Sequence, residues 1–165
     1  MPLPFHETSE RILDLMLNIF IEALRIEDYI NYGSTTQKRR RLKRGFEADS
    51  SFYFGEKAAL MRQRERVLET DPPPDLIFEI DVTHSSINKM QLYAAFGVAE
   101  IWRVEKRALK ILVLSENEYV ESPESRILLG VTSQIINEFV ADGFNLKSSE
   151  WRDKVRAWAA ENLKK

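Results

Sequence analysis

The sequence predicts one α+β or α/β domain, spanning residues 1–165, in which helices flank a mixed central β sheet. Residues 8–25 repeat apolar side chains at helical spacing, which indicates an amphipathic helix. Residues 75–82 instead alternate apolar and acidic side chains with the period of two that is typical of a strand. A length of 165 residues suits a single domain with its own hydrophobic core.

One helix and two strands are predicted in the first third of the chain. Thr8 or Ser9 can cap the helix over residues 8–25. Residues 29–32 are aromatic or β-branched and precede a Gly-Ser pair, which indicates a strand followed by a turn. Residues 46–54 alternate between apolar and polar side chains, and they predict a second strand.

The middle of the chain combines a short helix, a boundary and the most apolar strand. Residues 56–68 contain helix formers and many charges, which favours a short surface helix or an ordered loop. Three consecutive prolines at residues 72–74 then exclude regular structure. The strand over residues 75–82 follows, with Phe78 and Ile80 on one face. We expect this strand to be buried.

The second half of the chain predicts a helix, a hairpin and two more helices. The helix over residues 87–96 ends at a glycine. Residues 100–104 and 109–114 are apolar and β-branched, and a charged turn joins them into a predicted hairpin. Helices over residues 134–142 and 149–162 complete the pattern.

Composition excludes several classes of site. The chain has no cysteine and two histidines, so a thiolate metal site and most zinc sites are excluded. Any metal is therefore expected to be a hard ion with oxygen ligands. No apolar run reaches the length that spans a bilayer, and the first residues lack a signal-peptide pattern. We expect a cytoplasmic protein without a membrane partner.

Charge is spread unevenly along the chain. The formal net charge of -2 predicts no general attraction to nucleic acid. A dense cationic run nevertheless covers residues 38–44, immediately before the strand over residues 46–54. A cationic rim beside an acidic centre suits a phosphate-handling site, although a solvated loop explains the run equally well. The predicted nucleic-acid-binding residues are Arg39, Arg40, Arg41, Lys43 and Arg44.

Two carboxylates share one face of the strand over residues 75–82. Glu79 and Asp81 lie opposite Phe78 and Ile80, and neighbouring like charges resist desolvation. A divalent cation or a nearby lysine can compensate these charges. The alternative is a buried ion pair with an arginine such as Arg103.

Asp49 and Lys89 are the other candidate site residues. Asp49 is expected to share a strand face with Glu47, and a neighbouring strand can bring it beside Glu79. Two such carboxylates can bind Mg²⁺ or Mn²⁺ with water as the remaining ligand; the alternative is that they form ion pairs with the preceding arginines. Lys89 lies early in the next helix and can point back toward Glu79, although a lone lysine is usually a surface residue.

Four further residues are weaker candidates for a role in the site. Glu10 is a candidate accessory carboxylate, although a glutamate near a helix start also favours the helix dipole. His84 is a candidate base, although a polar turn explains it as well. Tyr93 and Trp102 are most simply core aromatic residues.

Four stretches together resemble a known family: residues 33–36, 45–49, 74–81 and 89–102. They resemble the putative restriction endonuclease family within the PD-(D/E)xK nuclease superfamily. This resemblance implies a restriction-endonuclease-like fold with a mixed four-stranded sheet flanked by helices, Mg²⁺-dependent cleavage of DNA and a homodimer. Carried over by position, Asp49 resembles the aspartate of the second core strand and Glu79 the acid of the third. Lys89 resembles a catalytic lysine that has migrated to the following helix.

This chain departs from that family pattern at two places. The residue two after the strand acid is usually lysine, whereas here it is Asp81. The first seven residues resemble an internal family segment, which implies a shortened member without an N-terminal hairpin.

The sequence therefore predicts a metal-dependent endonuclease that acts on DNA with Mg²⁺ or Mn²⁺ and without an organic cofactor. Asp49, Glu79 and Lys89 are the predicted catalytic residues, and Asp49, Glu79 and Asp81 are the predicted metal ligands. Two alternatives remain open at this point. One is a binding module with the same fold and no turnover, and the other is a homo-oligomeric scaffold whose acids form ion pairs.

Overall fold

The computed structural model describes residues 4–39, 42, 44–81 and 87–163, which form helices around a central sheet. The helices and strands of these described residues are α1 (Pro4–Ala23), β1 (Tyr29–Asn31), β2 (Thr36–Arg39), β3 (Arg44–Glu47), β4 (Ser50–Phe54), α2 (Glu56–Arg62), β5 (Leu76–Asp81), α3 (Ile87–Phe96), β6 (Glu100–Glu105), β7 (Ala108–Ser115), β8 (Glu118–Ser122), α4 (Ser133–Asn145) and α5 (Ser148–Asn162). No helix among them combines the length and the apolarity needed to cross a lipid bilayer.

The central sheet is mixed, as the sequence predicts. Within the described residues its six strands follow the order β1, β4, β5, β6, β7, β8. β5 and β6 pair in parallel, and the other neighbouring strands pair antiparallel. β2 and β3 form a separate antiparallel ribbon. The resemblance implied four strands in the sheet, and β1 and β8 extend it at its two edges.

Strand β5 separates two hydrophobic clusters. Phe78 and Ile80 face the larger cluster, which includes Phe20 of α1, whereas Ile77 faces a second cluster with Tyr93 of α3. Full burial of one such large apolar side chain contributes about 1.5–3 kcal/mol. The predicted alternation in this strand is confirmed, and it places Glu79 on the side that α3 covers.

Several predicted element boundaries are wrong: the helix predicted over residues 56–68 ends at Arg62, and the one predicted over residues 134–142 continues to Asn145. The first helix begins at Pro4, so Thr8 and Ser9 lie inside it and do not cap it. Proline is tolerated in a first helical turn because its missing N–H has no partner there. Residues 46–54 do not form one strand, because β3 ends at Glu47 and β4 begins after a bend at Asp49.

That bend has a physical reason. Phe46 packs edge-on against Tyr93 and Phe96 of α3, with ring centroids 4.8 Å apart in both contacts. Phe52 instead packs against Phe78 in the other cluster, with centroids 4.6 Å apart. The chain therefore passes from one side of the sheet to the other between these phenylalanines, and Asp49 lies at the crossing.

Candidate active site

Asp49 lies where β4 meets the end of β5. The antiparallel pairing of these strands begins with Ser50 opposite Phe78, so Asp49 extends the same register toward Glu79. The Asp49 Oδ2 atom accepts a hydrogen bond from the backbone N–H of Ile80 at 2.7 Å. Its Oδ1 atom lies 3.2 Å from Nε2 of His6 in α1. Contacts from two elements therefore orient this carboxylate.

Glu79 is held from the side of α3. Its Oε1 atom lies 2.5 Å from Nζ of Lys89, and its Oε2 atom accepts a hydrogen bond from the Tyr93 hydroxyl at 2.7 Å. The Glu79 side chain is 6% exposed, whereas that of Lys89 is 49% exposed. Residues four apart lie on the same face of a helix, so Lys89 and Tyr93 both reach the buried acid from one turn of α3.

Tyr93 is a hydrogen-bond donor under all ordinary conditions. Burial raises the pKa of this hydroxyl far above its usual value, and the negative charge of Glu79 raises it further. The charge of Asp49 acts on the same hydroxyl in the same direction. This effect agrees with the register of β4 and β5, which extends Asp49 toward Glu79.

A third carboxylate approaches this site from α1. Glu10 Oε1 accepts a hydrogen bond from the Ser50 hydroxyl at 2.9 Å. Burial is the main cause that raises the pKa of Glu10; the Ser50 hydrogen bond opposes this effect, and the charge of Asp49 adds to it. His6, Glu7 and Glu10 each offer a ligand atom within 4.8 Å of the others. Beside them opens a cleft of about 510 Å³.

The donor set fits a hard divalent cation. Asp49, Glu79 and Glu10 present carboxylate oxygens, which Mg²⁺ and Mn²⁺ prefer as ligands. Asp49 raises the pKa of Glu10, so these like charges already act on one another, and a cation among them relieves that repulsion. The backbone of Asp81 ends β5, but its side chain lies outside the described residues. Its part in a ligand set remains a prediction.

Glu47 and Arg103 are the two other residues that the sequence placed beside these acids. Glu47 was expected on the same strand face as Asp49, which is wrong because Glu47 belongs to the ribbon and accepts a hydrogen bond from Thr36 at 3.2 Å. Arg103 lies opposite Glu79 in the register of β5 and β6. Both oxygens of Glu79 nevertheless have partners on α3.

The predicted cationic residues are only partly described. The backbones of Arg39 and Arg44 pair with each other in the ribbon of β2 and β3, and their side chains lie outside the described residues. Arg40, Arg41 and Lys43 also lie outside them, as does the candidate base at residue 84. Their roles therefore remain predictions.

Sequence reasoning missed two side chains of this site. Tyr93 was expected to be a core aromatic residue, and His6 had no assigned role. The available signal was helical spacing, because Tyr93 follows Lys89 by four residues and His6 precedes Glu10 by four. Spacing alone shows only a shared helix face, and the contacts with Glu79 and Asp49 depend on the tertiary fold.

Comparison with known proteins gives a family and a fold. A model of the Uma2 family, described as "Putative restriction endonuclease", matches residues 1–148. The crystal structure of a putative nuclease belonging to DUF820 from Anabaena variabilis ATCC 29413 matches with a TM-score of 0.51 and 15% sequence identity. That match covers 96% of this chain and 84% of the other, and at this identity it shows a shared fold alone. No curated protein matches the sequence significantly.

Proposed function

This chain belongs to the Uma2 family of putative restriction endonucleases, and we propose that it is a metal-dependent nuclease that hydrolyses phosphodiester bonds of DNA. Membership of the family and the nuclease-like fold support a nuclease-like function. One observation carries the more specific proposal. Asp49 and Glu79 approach from neighbouring strands, and Lys89 reaches the same site from α3.

Asp49 and Glu79 are the proposed holders of Mg²⁺ or Mn²⁺, with Glu10 beside them and Asp81 as a further proposed ligand. When bound, such a cation lowers the pKa of a coordinated water and polarises the phosphate. The backbone N–H of Ile80 and the hydroxyl of Tyr93 keep the two carboxylates in place. Preorganised ligands of this kind do not have to move when substrate arrives.

Lys89 is proposed to orient the attacking water and to stabilise negative charge on the phosphate. Its ammonium group sits at Glu79 Oε1, while its side chain is half exposed to solvent. A lysine in that position can hydrogen-bond a water or a phosphate oxygen without leaving the site. A cation placed beside developing negative charge lowers the barrier of a reaction of this type.

The ribbon of β2 and β3 is the proposed binding surface for the phosphate backbone of the substrate. Phe46 of β3 packs against Phe96 of α3, the helix that also carries Lys89. This contact joins the described part of the ribbon to the helix of the site, and the five predicted nucleic-acid-binding residues at 39–41, 43 and 44 stay part of the proposal. Contacts of lysine and arginine with phosphates supply affinity that does not depend on base sequence.

We also propose that the chain acts as a homodimer. One site hydrolyses one strand, so cleavage of both strands of a duplex calls for two sites. Sedimentation velocity tests this directly, and a monomer at every protein concentration would reject the dimer without affecting the assignment of the site.

A cleavage assay tests the proposed activity. Supercoiled and single-stranded DNA are incubated with the protein in Mg²⁺, in Mn²⁺ and in a chelator. We expect cleavage only with the cations and its loss in Asp49→Ala, Glu79→Ala and Lys89→Ala. Asp142 and Lys154 form a matched carboxylate–lysine pair at 2.6 Å between α4 and α5, so Asp142→Ala and Lys154→Ala serve as controls. Unchanged cleavage by the folded Glu79 variant would reject the site.

A binding module without turnover is the second candidate function. The observation that favours it is the contact of 2.5 Å between Lys89 and Glu79, because a lysine already neutralises the buried acid. Calorimetric titration with Mn²⁺ separates the two candidates. A binding module is expected to bind DNA and to give no heat from cation binding. A nuclease is expected to bind the cation, and Glu79→Ala is expected to abolish that binding.

A further inference from the structure

We propose that the hydroxyl of Tyr93 makes Glu79 bind its cation through one carboxylate oxygen, so that the site selects Mg²⁺ or Mn²⁺ over Ca²⁺. This inference rests on the proposed function, since it concerns the same cation. Tyr93 acts through Glu79, which makes it a positioning residue.

The geometry around the Tyr93 hydroxyl is closely constrained. Tyr93 is fully buried, and its hydroxyl lies 2.7 Å from Glu79 Oε2. Phe46 meets the tyrosine ring edge-on at a centroid distance of 4.8 Å and an interplanar angle of 83°. Phe46 itself rests on Phe96 in the same manner. Because the ring is packed in this way, the hydroxyl stays at one oxygen of the carboxylate.

The hydrogen bond between Tyr93 and Glu79 has a definite direction. A phenol carries one proton that it can donate, and an ionised carboxylate can only accept. The Tyr93 hydroxyl donates this proton to Oε2 of Glu79 at 2.7 Å. One lone-pair direction of Oε2 is therefore occupied.

The other oxygen of Glu79 lies on the accessible side. Oε1 contacts Lys89, whose side chain is 49% exposed, whereas Oε2 contacts the fully buried Tyr93. Tyr93 cannot move aside, because Phe46 packs against its ring. We therefore infer that a cation reaches Glu79 through Oε1, beside Lys89.

Binding through one oxygen distinguishes between cations. Mg²⁺ accepts about six ligands in a nearly ideal octahedron and commonly takes one oxygen from each carboxylate, whereas Ca²⁺ accepts about six to eight and often takes both. A carboxylate whose second oxygen is held by a hydroxyl therefore suits Mg²⁺ and Mn²⁺ better than Ca²⁺. Loss of the hydroxyl releases Oε2 for binding through both oxygens.

The variant Tyr93→Phe removes only this hydroxyl. We expect its affinity for Mg²⁺ and Mn²⁺ to fall about tenfold, which is the lower end of the range of effects when a metal ligand loses a hydrogen-bond partner. We expect its affinity for Ca²⁺ to stay constant or to rise, so that selectivity against Ca²⁺ falls about tenfold or more. A purely structural role of Tyr93 would weaken the binding of all three cations alike.

Tyr119→Phe is the matched control. The Tyr119 hydroxyl donates to the backbone carbonyl of Val98 at 2.7 Å, and this side chain packs against the same cluster as Tyr93 without contacting either carboxylate. Calorimetric titrations of Mg²⁺, Mn²⁺ and Ca²⁺ use the full chain without DNA, for the wild type and both variants. Thermal unfolding establishes that each variant is folded.

The outcomes separate this inference from the proposed function. A wild type that binds no divalent cation overturns the proposed function, and the inference with it. If the wild type binds the cations and folded Tyr93→Phe keeps the wild-type ratio of Ca²⁺ affinity to Mg²⁺ affinity, only the inference is overturned. Should Tyr93→Phe not fold, Phe46→Leu replaces it, because it keeps the hydroxyl and loosens the ring. If Phe46→Leu then keeps the wild-type ratio of Ca²⁺ affinity to Mg²⁺ affinity, the inference is overturned.

Discussion

Replacing Lys89 with methionine removes an ammonium group from Glu79 and keeps an unbranched side chain of similar length. An exposed ion pair contributes about 0–1 kcal/mol, whereas breaking a fully buried pair costs about 3–5 kcal/mol. The pair in this site lies between these limits, because Glu79 is 6% exposed and Lys89 is 49% exposed. Tyr93 also continues to donate to Glu79. We expect Lys89→Met to lower the free energy of unfolding by about 1–3 kcal/mol, the cost of a buried acceptor that loses one partner.

Urea unfolding in a buffer with chelator measures this change in stability. Lys154→Met is the control, because Lys154 and Asp142 are 54% and 29% exposed, and we expect a loss of no more than about 1 kcal/mol. The double variant Lys89→Met with Glu79→Gln should regain stability, because it no longer buries an uncompensated charge. Added Mg²⁺ should stabilise Lys89→Met more than the wild type, since the cation no longer competes with an ammonium group.

Equal stability of Lys89→Met and the Lys154 control would refute this reasoning. It would mean that solvent already screens the charge of Glu79. A loss of stability that Mg²⁺ does not reverse would show that the lysine supports the fold without sharing a cation site.

Two other predictions concern pH and salt. Burial raises the pKa of Asp14 above its ordinary value of 3.8, and a hydrogen bond from Asn31 opposes that shift. The stability that Asp14 contributes is therefore fully present below pH 3.8 and is lost as the pH rises through the raised pKa. Asp14→Asn should remove this part of the pH dependence, and urea unfolding at several pH values detects it as a changing difference from the wild type. Replacing Arg39 and Arg44 by glutamine should weaken DNA binding for all base sequences and reduce the slope of log affinity against log salt by about 0.9 for each lost phosphate contact. Fluorescence anisotropy measures that slope, and an unchanged slope would remove these arginines from the interface.

Several features of the fold follow from local sequence patterns. The alternation around Phe78 and Ile80 predicts which face of β5 carries Glu79, and the structure agrees. The helix over residues 87–96 is also predicted with its observed bounds. Such features depend on neighbours that are close in sequence, so periodicity alone can show them.

Other features depend on contacts between distant segments. The hairpin partner β8 was not predicted, because its residues are mostly exposed at a sheet edge and its pairing with β7 defines it. The bend at Asp49 was also not predicted, because it arises from the packing of Phe46 and Phe52 on opposite sides of the sheet.

The candidate site shows the same division between sequence and tertiary structure. The sequence by itself determined the acids, the lysine and the strand and helix that carry Glu79 and Lys89. Only the tertiary structure decided that Asp49 meets β5 through the Ile80 N–H, and that Tyr93 holds one oxygen of Glu79. The physical reason is that a side chain's chemistry and its helix or strand face are local properties. The approach of two such faces depends on how the whole core packs.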